Sequence, residues 1–346
     1  MMGRTDRHCR YFLRGFSARM LLYTEMIAAA DLMQEECASL LEFDSEEHPV
    51  ALQLGGCDPH ELAAAARRAE QAGYDEINLN CGCPSDRATG RVFGAYLMRR
   101  PETVAACVAA MRAAVSVPVT VKMRIGIIEG RGRAAIEASG RFGESERAAL
   151  RRFVAAVRDA GCDAVIVHAR KAVLGGLSAQ DNREIPPLQY EVVSFVKEAF
   201  PELQVVVNGG LRDPGAILRA IDGLDGIMLG REAYHRPVLL GRLDALIFGA
   251  APTGDHPRSS PEALDAVVRE RAIERMQRYT ERQLARGEKL SAIVRHVQGL
   301  YAGEPGAGEF RRILSEGARR PGAGVEVLAE AVASAHRDSS VGGHPR

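Results

Sequence analysis

Apolar runs rich in β-branched residues recur along the first two thirds of the chain, and turn residues follow each run. Between the runs, apolar residues return every three or four positions, as in HELAAAARRAEQAG (60–73) and PETVAACVAAMRAAV (101–115), which is typical of amphipathic helices. Strands that alternate with helices indicate parallel βα units. Seven runs predict strands: LLYTEMI (21–27), PVALQLGG (49–56), DEINLNCG (75–82), VPVTVKMR (117–124), DAVIVHAR (163–170), LQVVVNGG (203–210) and DGIMLGRE (225–232).

Polar or reactive residues stand at the carboxyl ends of these predicted strands. In an open sheet such residues would be spread along an edge, whereas in a barrel they converge on one face. The pattern therefore favours a (β/α)8 barrel, of which seven strands are readable. The residues concerned are Gln53, Asn80 with Cys83, Lys122, His168, Asn208 and Arg231.

The composition and the hydrophobic periodicity of the chain change in two places. Residues 126–149 are rich in Gly, Arg, Ala and Glu without a strong apolar face, and they predict an extended loop. APTGDHPRSSP (251–261) predicts a linker, and helical periodicity then returns at 262–286, 290–302 and 308–335. We therefore expect a barrel domain at 1–250, a small all-helical domain at 262–335 and a disordered tail at 336–346.

Composition narrows the possible classes of protein. Hydrophobic residues make up 46% of the 346 residues and charged residues 26%, which is typical of globular chains. The net charge is zero, but residues 262–320 hold 12 Lys and Arg against 9 Asp and Glu. That mildly basic balance suits a phosphate backbone, and it equally suits a solvated helical face.

Cysteine usage and the terminal sequence indicate the compartment. The seven cysteines are scattered and include no CxxC pair, which favours reduced thiols over a disulfide framework or a zinc site. The first residues lack the apolar core of a signal peptide, and no run approaches the length of a membrane span. We expect a cytoplasmic protein with no metal site and no membrane contact. No stable protein partner is predicted, and we expect a monomer.

Two glycine-containing segments indicate a phosphate ligand. VVVNGGLRD (205–213) and IMLGREAY (227–234) each end a predicted strand with glycine and then begin a helix, which frees backbone N–H groups for an anion. The loops after the last two strands of a barrel are its habitual phosphate site, and Arg231 adds a fixed positive charge.

NLNCGCPSDR (78–87) carries the candidate reactive thiol, Cys83. Pro84 holds the following backbone away from helix, and the position beside Asn80 favours a functional thiol over a buried apolar residue. A thiol has a reference pKa of about 8.5 and can act as a general acid near neutral pH. Lys122 at a buried strand end needs an anionic or polar partner, and Gln53 suits the edge of a heteroaromatic ring.

On ten sequence blocks the chain resembles the A subfamily of the tRNA-dihydrouridine synthases. The resemblance extends from Met1 to about residue 335. The blocks are TDRHCRYF (5–12), LLYTEM (21–26), PVALQLGG (49–56), DEINLNCGCPSDR (75–87), VPVTVKMRIGI (117–127), HARKA (168–172), NREIPPL (182–188), NGG (208–210), GREAY (230–234) and RHVQGLYAGEPGAGEFRR (295–312).

The resemblance implies an FMN-containing (β/α)8 barrel followed by a helical tRNA-binding domain. NADPH would reduce FMN, and the C5=C6 bond of uridines 20 and 20a in the tRNA D-loop would be reduced, with Cys83 as the proton donor. The implied flavin contacts are Met1, Met2, Gln53, Lys122 and His168, with Asn208, Gly209, Gly210, Gly230 and Arg231 at the phosphate. The implied RNA contacts are Asn80, Gln180, Arg183 and Arg295.

The chain departs from the family pattern at several places, and one is the segment 126–149, which is longer than in typical relatives. Gln180 stands where relatives often have a basic residue, and Val173 stands where a tryptophan is usual. Of the first barrel strand only Met1 and Met2 are present, so we expect that strand to be truncated. One alternative is therefore an N-terminally truncated, catalytically impaired tRNA-binding homologue. Another is a barrel flavoenzyme that acts on a free pyrimidine, which the block RHVQGLYAGEPG disfavours.

Overall fold

The computed structural model describes residues 1–34, 37–84, 93–130, 132–175, 177–249 and 260–341. Within these residues the chain forms nine strands, and seven of them confirm the strands predicted from the sequence. The strands are β1 (Leu22–Ala28), β2 (Val50–Gly55), β3 (Glu76–Cys81), β4 (Val119–Arg124), β5 (Ile127–Glu129), β6 (Ala164–His168), β7 (Ala172–Leu174), β8 (Gln204–Asn208) and β9 (Gly226–Met228).

Seven strands form one sheet in the order β1-β2-β3-β4-β6-β8-β9 within the described residues. The pairs from β2 onward are parallel, with Gln53 opposite Asn78, Asn80 opposite Lys122 and His168 opposite Asn208. Strands that neighbour each other in sequence order, joined through helices, form the curled parallel sheet of a (β/α)8 barrel. The fold class predicted from the sequence is confirmed.

The described residues also form thirteen α-helices. They are α1 (Arg7–Arg14), α2 (Pro59–Ala72), α3 (Pro101–Ala114), α4 (Gly132–Ser139), α5 (Glu144–Asp159), α6 (Tyr190–Ala199), α7 (Pro214–Ile221), α8 (Arg231–His235), α9 (Val238–Phe248), α10 (Pro261–Ala285), α11 (Leu290–Val294), α12 (Ala307–Gly317) and α13 (Glu326–Val341). Short 3-10 helices include Gly94–Arg99 and Asp181–Arg183. Among the helices that the structure describes, none combines the length and apolar character that crossing a membrane requires.

The chain divides into two compact units. The sheet unit comprises Tyr23–Glu42 and Val50–Leu229, and the helical unit comprises Met1–Leu22, Phe43–Pro49 and the described residues from Gly230 onward. In the sheet unit, the strands β2, β3, β4 and β6 are buried on both faces along most of their length, as a parallel sheet covered by helices requires. Its core includes Leu52, Leu54, Ile77, Leu79, Val119, Val121, Val165, Val167, Val205 and Val207 from the strands and Leu62, Ala65 and Val108 from the helices.

The prediction of an extended loop over 126–149 is wrong. Strand β5 pairs in parallel with β7, α4 follows, and α5 begins at Glu144. The pairing partner of β5 lies more than 40 residues away in the chain, so no local pattern could reveal the strand. Val173, which stands where relatives usually have a tryptophan, is a buried member of β7.

In the helical unit, the helix predicted at 262–286 agrees closely with α10. The segment 308–335, predicted as one helical stretch, contains a break. Residues 308–335 hold α12 and the start of α13, because Pro321 and Gly322 interrupt the helical pattern. Helix α13 runs to Val341, past the predicted boundary at residue 335. Residues 251–259 of the predicted linker and 342–346 of the predicted tail lie outside the described residues, and the domain boundaries stay a prediction.

The block TDRHCRYF forms the start of the helical unit. Asp6 caps α1 by accepting a hydrogen bond from the N–H of Cys9 at 3.0 Å. On α1, Tyr11 stacks on Tyr279 of α10 with ring centroids 3.9 Å apart, and His8 Nδ1 lies 2.7 Å from the Tyr279 hydroxyl. The block therefore packs α1 against α10 within this unit.

Candidate active site

A chain of side-chain hydrogen bonds crosses three strands inside the sheet unit. Asn80 Nδ2 donates to Gln53 Oε1 at 2.7 Å, Gln53 Nε2 donates to Asn78 Oδ1 at 2.9 Å, and Asn78 Nδ2 donates to Thr120 Oγ1 at 2.8 Å. The parallel register explains the chain, because Gln53, Asn78 and Thr120 stand opposite one another on β2, β3 and β4. The interior of the barrel is therefore polar at this level.

The same network continues to a buried carboxyl group. Thr120 Oγ1 and the Tyr23 hydroxyl each donate to Glu76 Oε1 at 2.6 Å. Burial raises the pKa of Glu76 and raises that of Tyr23 well above its ordinary value. The sequence analysis did not single out Glu76, Asn78, Thr120 or Tyr23. A signal existed in β3, where polar residues occupy alternate positions 76, 78 and 80 on one face of the strand.

The backbone around Cys83 is held from three sides. Asn80 Oδ1 accepts hydrogen bonds from the N–H groups of Gly82 at 3.0 Å and Cys83 at 2.9 Å. Arg124 Nε donates to the Gly82 carbonyl at 3.1 Å, and the N–H of Ala95 donates to the Cys83 carbonyl at 2.8 Å. Elements from β3, β4 and the 3-10 helix Gly94–Arg99 thus orient this residue before any ligand arrives.

Gly94 is required by the same arrangement. Its φ is +73°, and a Cβ atom at this position would lie 2.3 Å from the Cys83 carbonyl oxygen.

The thiols of Cys81 and Cys83 differ in how far they are buried. Cys81 is fully buried and burial raises its pKa, whereas Cys83 is half-buried. Cys83 is therefore the accessible thiol of the pair.

Lys122 lies at the same level as Asn80 on the neighbouring strand. Its Nζ has no hydrogen-bond or ion-pair partner within the described part of the chain. Burial, together with the nearby positive charge of Arg124, lowers the pKa of Lys122 to about 8. An unpaired, poorly solvated ammonium group is a good partner for a polar or anionic ligand.

The segment Asn208–Gly210 forms a close-packed backbone cradle against His168. Gly209 has φ +115°, and a Cβ there would lie 2.5 Å from His168 Cδ2. Gly210 has φ +68°, and a Cβ there would lie 2.3 Å from Leu188 Cδ1. The Tyr190 hydroxyl donates to the Gly209 carbonyl at 2.6 Å, which anchors the cradle. Only glycine satisfies both positions.

Almost the whole chain matches a known family. A family model described as "Dihydrouridine synthase (Dus)" matches residues 1–336. The chain belongs to the dihydrouridine synthase family. Members of this family are oxidoreductases, and the chain is an enzyme of that class.

Similar proteins carry the same name across several bacteria. The chain is 46% identical over 336 residues to a tRNA-dihydrouridine(20/20a) synthase of Vibrio cholerae, covering 96% of this chain and 94% of that protein. It is 48% identical over 316 residues to one of Pseudomonas aeruginosa, covering 91% and 87%. It is 46% identical over 333 residues to one of Salmonella typhi, covering 96% and 92%.

In this member of the dihydrouridine synthase family, a buried arginine joins two loops of the sheet unit. Arg124 Nη1 donates to the carbonyls of Asn182 at 2.9 Å and Lys171 at 3.2 Å, in addition to its Nε bond to Gly82. Burial lowers the pKa of Arg124 to about 10. The turn Asp181–Arg183 is thereby tied to the Cys83 loop, and this link was missed from the sequence.

Gln180 and Arg183, the predicted RNA contacts of the sheet unit, are both exposed on that turn. Asn80, predicted to touch RNA, uses its amide on Gln53 and on the Cys83 loop. The structure therefore brings Gln53, Asn80, Cys83 and Lys122 together, with the Gly82 carbonyl linked through Arg124 to the turn that carries Arg183.

The remaining predicted site residues lie in the helical unit. Arg231 begins α8 directly after Gly230, where a Cβ would lie 3.5 Å from Met1 Sδ, and Met2 is 63% exposed. Arg295 pairs with the carboxylate of Asp6.

The Asp6 carboxylate is also bound by a buried histidine, His296, whose Nε2 lies 3.0 Å from Asp6 Oδ1. Burial alone would raise the pKa of Asp6, but hydrogen bonds from His296, the Cys9 N–H and Arg295 hold it well below its usual value. Arg295 is consequently oriented within its own unit.

Proposed function

We propose that this enzyme reduces the C5=C6 bond of uridine to 5,6-dihydrouridine at positions 20 and 20a of the tRNA D-loop, with FMN as bound cofactor and NADPH as reductant. The observation that carries the proposal is the three-sided support of the half-buried Cys83 near Lys122, a lysine with no partner among the residues that the structure describes. The names of relatives at 44–48% identity support the substrate and its positions.

The residues of the sheet unit fit a flavin mononucleotide. Glycines 209 and 210 follow β8 with positive φ and pack closely against His168 and Leu188, and we infer that their backbone N–H groups bind the phosphate. Among the described residues Lys122 has no hydrogen-bond or ion-pair partner, so it can offer a cation to an electron-rich ring edge, and Gln53 on β2 and His168 on β6 offer further polar atoms. The resemblance adds Asn208, Met1, Met2, Gly230 and Arg231, whose roles stay predictions. The chemistry that FMN supplies is hydride transfer to C6 of the uracil.

Cys83 supplies the proton that C5 needs. A thiol with a reference pKa of about 8.5 is protonated at neutral pH and can donate to a carbon that gains electron density. Asn80 and Arg124 fix the backbone of Gly82 and Cys83 through the three hydrogen bonds described above, so the residue that carries the thiol is held relative to β3 and β4. Both residues act on the reaction through Cys83 and are positioning residues.

The target uridine must leave the RNA stack to reach a barrel mouth, at a cost of about a few kcal/mol that is smallest for loop nucleotides. We infer that Arg183, Gln180 and Arg295 contact the RNA around that nucleotide. We propose a barrel domain at 1–250, a linker at 251–261 and a helical tRNA-binding domain at 262–335. We also propose that the enzyme is a monomer in the cytoplasm and that its partner is tRNA.

The test replaces one thiol and keeps its neighbour. Cys83→Ala should abolish dihydrouridine formation in unmodified tRNA with NADPH, while the visible absorbance of bound flavin is kept, because only the proton donor is lost. Cys81→Ala is the matched control, since Cys81 is fully buried two residues away, and it should keep turnover. Mass spectrometry of digested tRNA measures the product. Turnover of Cys83→Ala within twofold of the unmodified enzyme would remove Cys83 from this role.

A further inference from the structure

Three arginines of α5 line a groove on the surface of the sheet unit. They are Arg147, Arg151 and Arg152, and the ring of Phe195 from α6 lies among them. The rest of the lining is Glu144, Ala148 and Ala155. The lining therefore holds three guanidinium groups and one carboxylate.

The aromatic ring packs against two of these guanidinium groups. The guanidinium carbon of Arg147 lies 4.9 Å from the centroid of Phe195 and that of Arg151 lies 5.5 Å from it. Arg147 also lies 5.7 Å from the ring of Phe142. Stacking on a ring face restricts an arginine without using its N–H donors, which stay available for a ligand at the groove.

None of the three arginines forms an ion pair or hydrogen bond with a carboxylate in the part of the chain that is described, and Glu144 has no such partner there either. The other carboxylate of the first turn, Glu146, accepts a hydrogen bond from Lys171 Nζ at 3.1 Å instead. The positive charge of the groove is therefore not neutralised by the residues of the unit that the structure describes.

Arg158, on the same helix, shows the contrasting arrangement. Its guanidinium lies 5.0 Å from the ring of Phe200, so it is stacked in the same way. Its donors, however, bind Asp159 at 2.7 Å and Glu202 at 3.1 Å. The three groove arginines differ from this residue because none of their donors binds a carboxylate of the described residues.

The groove begins at the same end of the sheet as the candidate active site. Lys171, which binds Glu146 in the first turn of α5, follows the last residue of β6, His168, by three positions. The Lys171 carbonyl also accepts a hydrogen bond from Arg124, which holds the Cys83 loop. The amino-terminal half of α5 thus lies beside the carboxyl ends of the strands.

We propose that this groove binds the phosphate backbone of the tRNA substrate, away from the nucleotide that is reduced. The inference rests on the proposed function for the identity of the polyanion. Guanidinium groups bind phosphate oxygens through paired N–H donors, and three of them on one helix suit a strand of nucleic acid, which carries one phosphate per nucleotide. The groove would position the RNA without reading its sequence.

Binding of an unmodified tRNA transcript to the whole enzyme tests the proposal, measured by fluorescence anisotropy from about 50 to 200 mM salt. The double variant Arg147→Ala/Arg151→Ala should bind roughly fivefold to tenfold more weakly near physiological salt. The slope of log K against log salt should fall in magnitude by about one for each phosphate that the variant no longer binds. In turnover assays KM for tRNA should rise while kcat stays the same.

Two further variants separate charge from packing. Arg147→Lys/Arg151→Lys keeps the positive charges and should restore most of the salt slope. Arg158→Ala is the matched control, because its donors are already bound to carboxylates, and it should leave both Kd and slope unchanged. Circular dichroism and flavin content establish that each variant is folded.

An unchanged Kd and slope in the double alanine variant would overturn the proposal. A rise in KM for NADPH with unchanged tRNA binding would overturn it too, because the occupant would then be the nucleotide reductant. Failure of the proposed function is distinguishable, since it would appear as absent dihydrouridine in the unmodified enzyme. The binding experiment measures the affinity of the groove for tRNA whether or not product is formed.

Discussion

At the scale of single residues, the candidate site depends on glycines, whose lack of a Cβ atom allows close packing, as much as on its polar side chains. The backbone at Gly209 fits against the edge of the His168 ring, and at Gly94 it fits against the Cys83 carbonyl. In both places φ is positive, so a side chain would be strained and would also collide. These glycines keep His168 and Cys83 in place, which polar residues alone could not do.

Gly209→Ala should displace His168 and reduce the amount of bound flavin, because the new Cβ would lie 2.5 Å from Cδ2 of the ring. We expect a loss of stability of about 1–3 kcal/mol from the strain and the collision together. Flavin-to-protein ratio and thermal unfolding measure the two effects.

Gly223→Ala is the matched control for this prediction. Gly223 has φ +71° in the same unit, and a Cβ there would have no described atom within 4 Å, so the variant isolates the backbone strain. It should lower the melting temperature and keep the flavin content. Equal flavin content in the two variants would contradict the role given to Gly209 beside the His168 ring.

At the scale of elements, the segment between β4 and α5 shows how a buried lysine organises a region of weak periodicity. Lys171 has no exposed surface, and its Nζ donates to the Arg141 carbonyl and to Glu146. The Gln189 amide donates to the Ser139 carbonyl at 3.0 Å. These bonds hold α4 and the start of α5 against β7, where local apolar patterning was insufficient to predict them.

The pair Lys171 and Glu146 should make stability depend on pH. Burial alone would raise the pKa of Glu146, but the hydrogen bond and charge of Lys171 lower it from 4.5 to about 2. A carboxyl group with a depressed pKa contributes stability that is fully present above about 4.5 and is lost as the pH falls towards 2. Glu146→Gln removes this titration, so its urea midpoint should fall less than that of the unmodified enzyme between these pH values.

The comparison must be made as a difference between the two proteins at each pH, because other carboxyl groups titrate in the same range. Glu137→Gln is a suitable control, since Glu137 is exposed on α4 and pairs only with the exposed Arg133 among the described residues. It should reproduce the pH dependence of the unmodified enzyme. A Glu146→Gln profile parallel to that profile would show that the pair contributes nothing measurable.

At the scale of the whole molecule, one unit is assembled from separate stretches of sequence. In the helical unit, α1 is joined to the segment Phe43–Pro49 by a buried ion pair, with Arg10 Nε 2.6 Å from Glu47 Oε2. Arg14 donates to the carbonyls of Glu47 and Pro49, both at 2.8 Å. Burial raises the pKa of Glu47, so the arginine compensates a carboxylate that water does not reach.

Arg10→Met should destabilise this unit by about 3–5 kcal/mol, because it leaves the fully buried Glu47 without its partner. The double variant Arg10→Met/Glu47→Leu should recover much of that loss, since replacing both charges removes the desolvation cost. Urea unfolding followed by circular dichroism measures both. A double variant no more stable than the single one would show that other bonds of Arg10 dominate, such as its bond to the Thr5 carbonyl.

Much of the fold could be read from local pattern. The seven strands of the sheet, the helices α2 and α3, and the position of Cys83 after β3 all follow from periodicity and turn residues near them. The split between α12 and α13 was also available locally, at Pro321 and Gly322, although the helical periodicity around them concealed it.

By itself the sequence determined the seven strands of the main sheet, helices such as α2 and α3, and the polar residues that stand at the strand ends, because each of these depends on neighbours a few residues away. Only the tertiary structure decided that Asn80 and Arg124 hold Cys83, that Lys122 lacks a partner within the described residues and that α5 keeps three unneutralised arginines there. The physical reason is that a polar group's partner depends on strand register and helix packing between residues far apart in the chain. A local pattern carries no information about those distances.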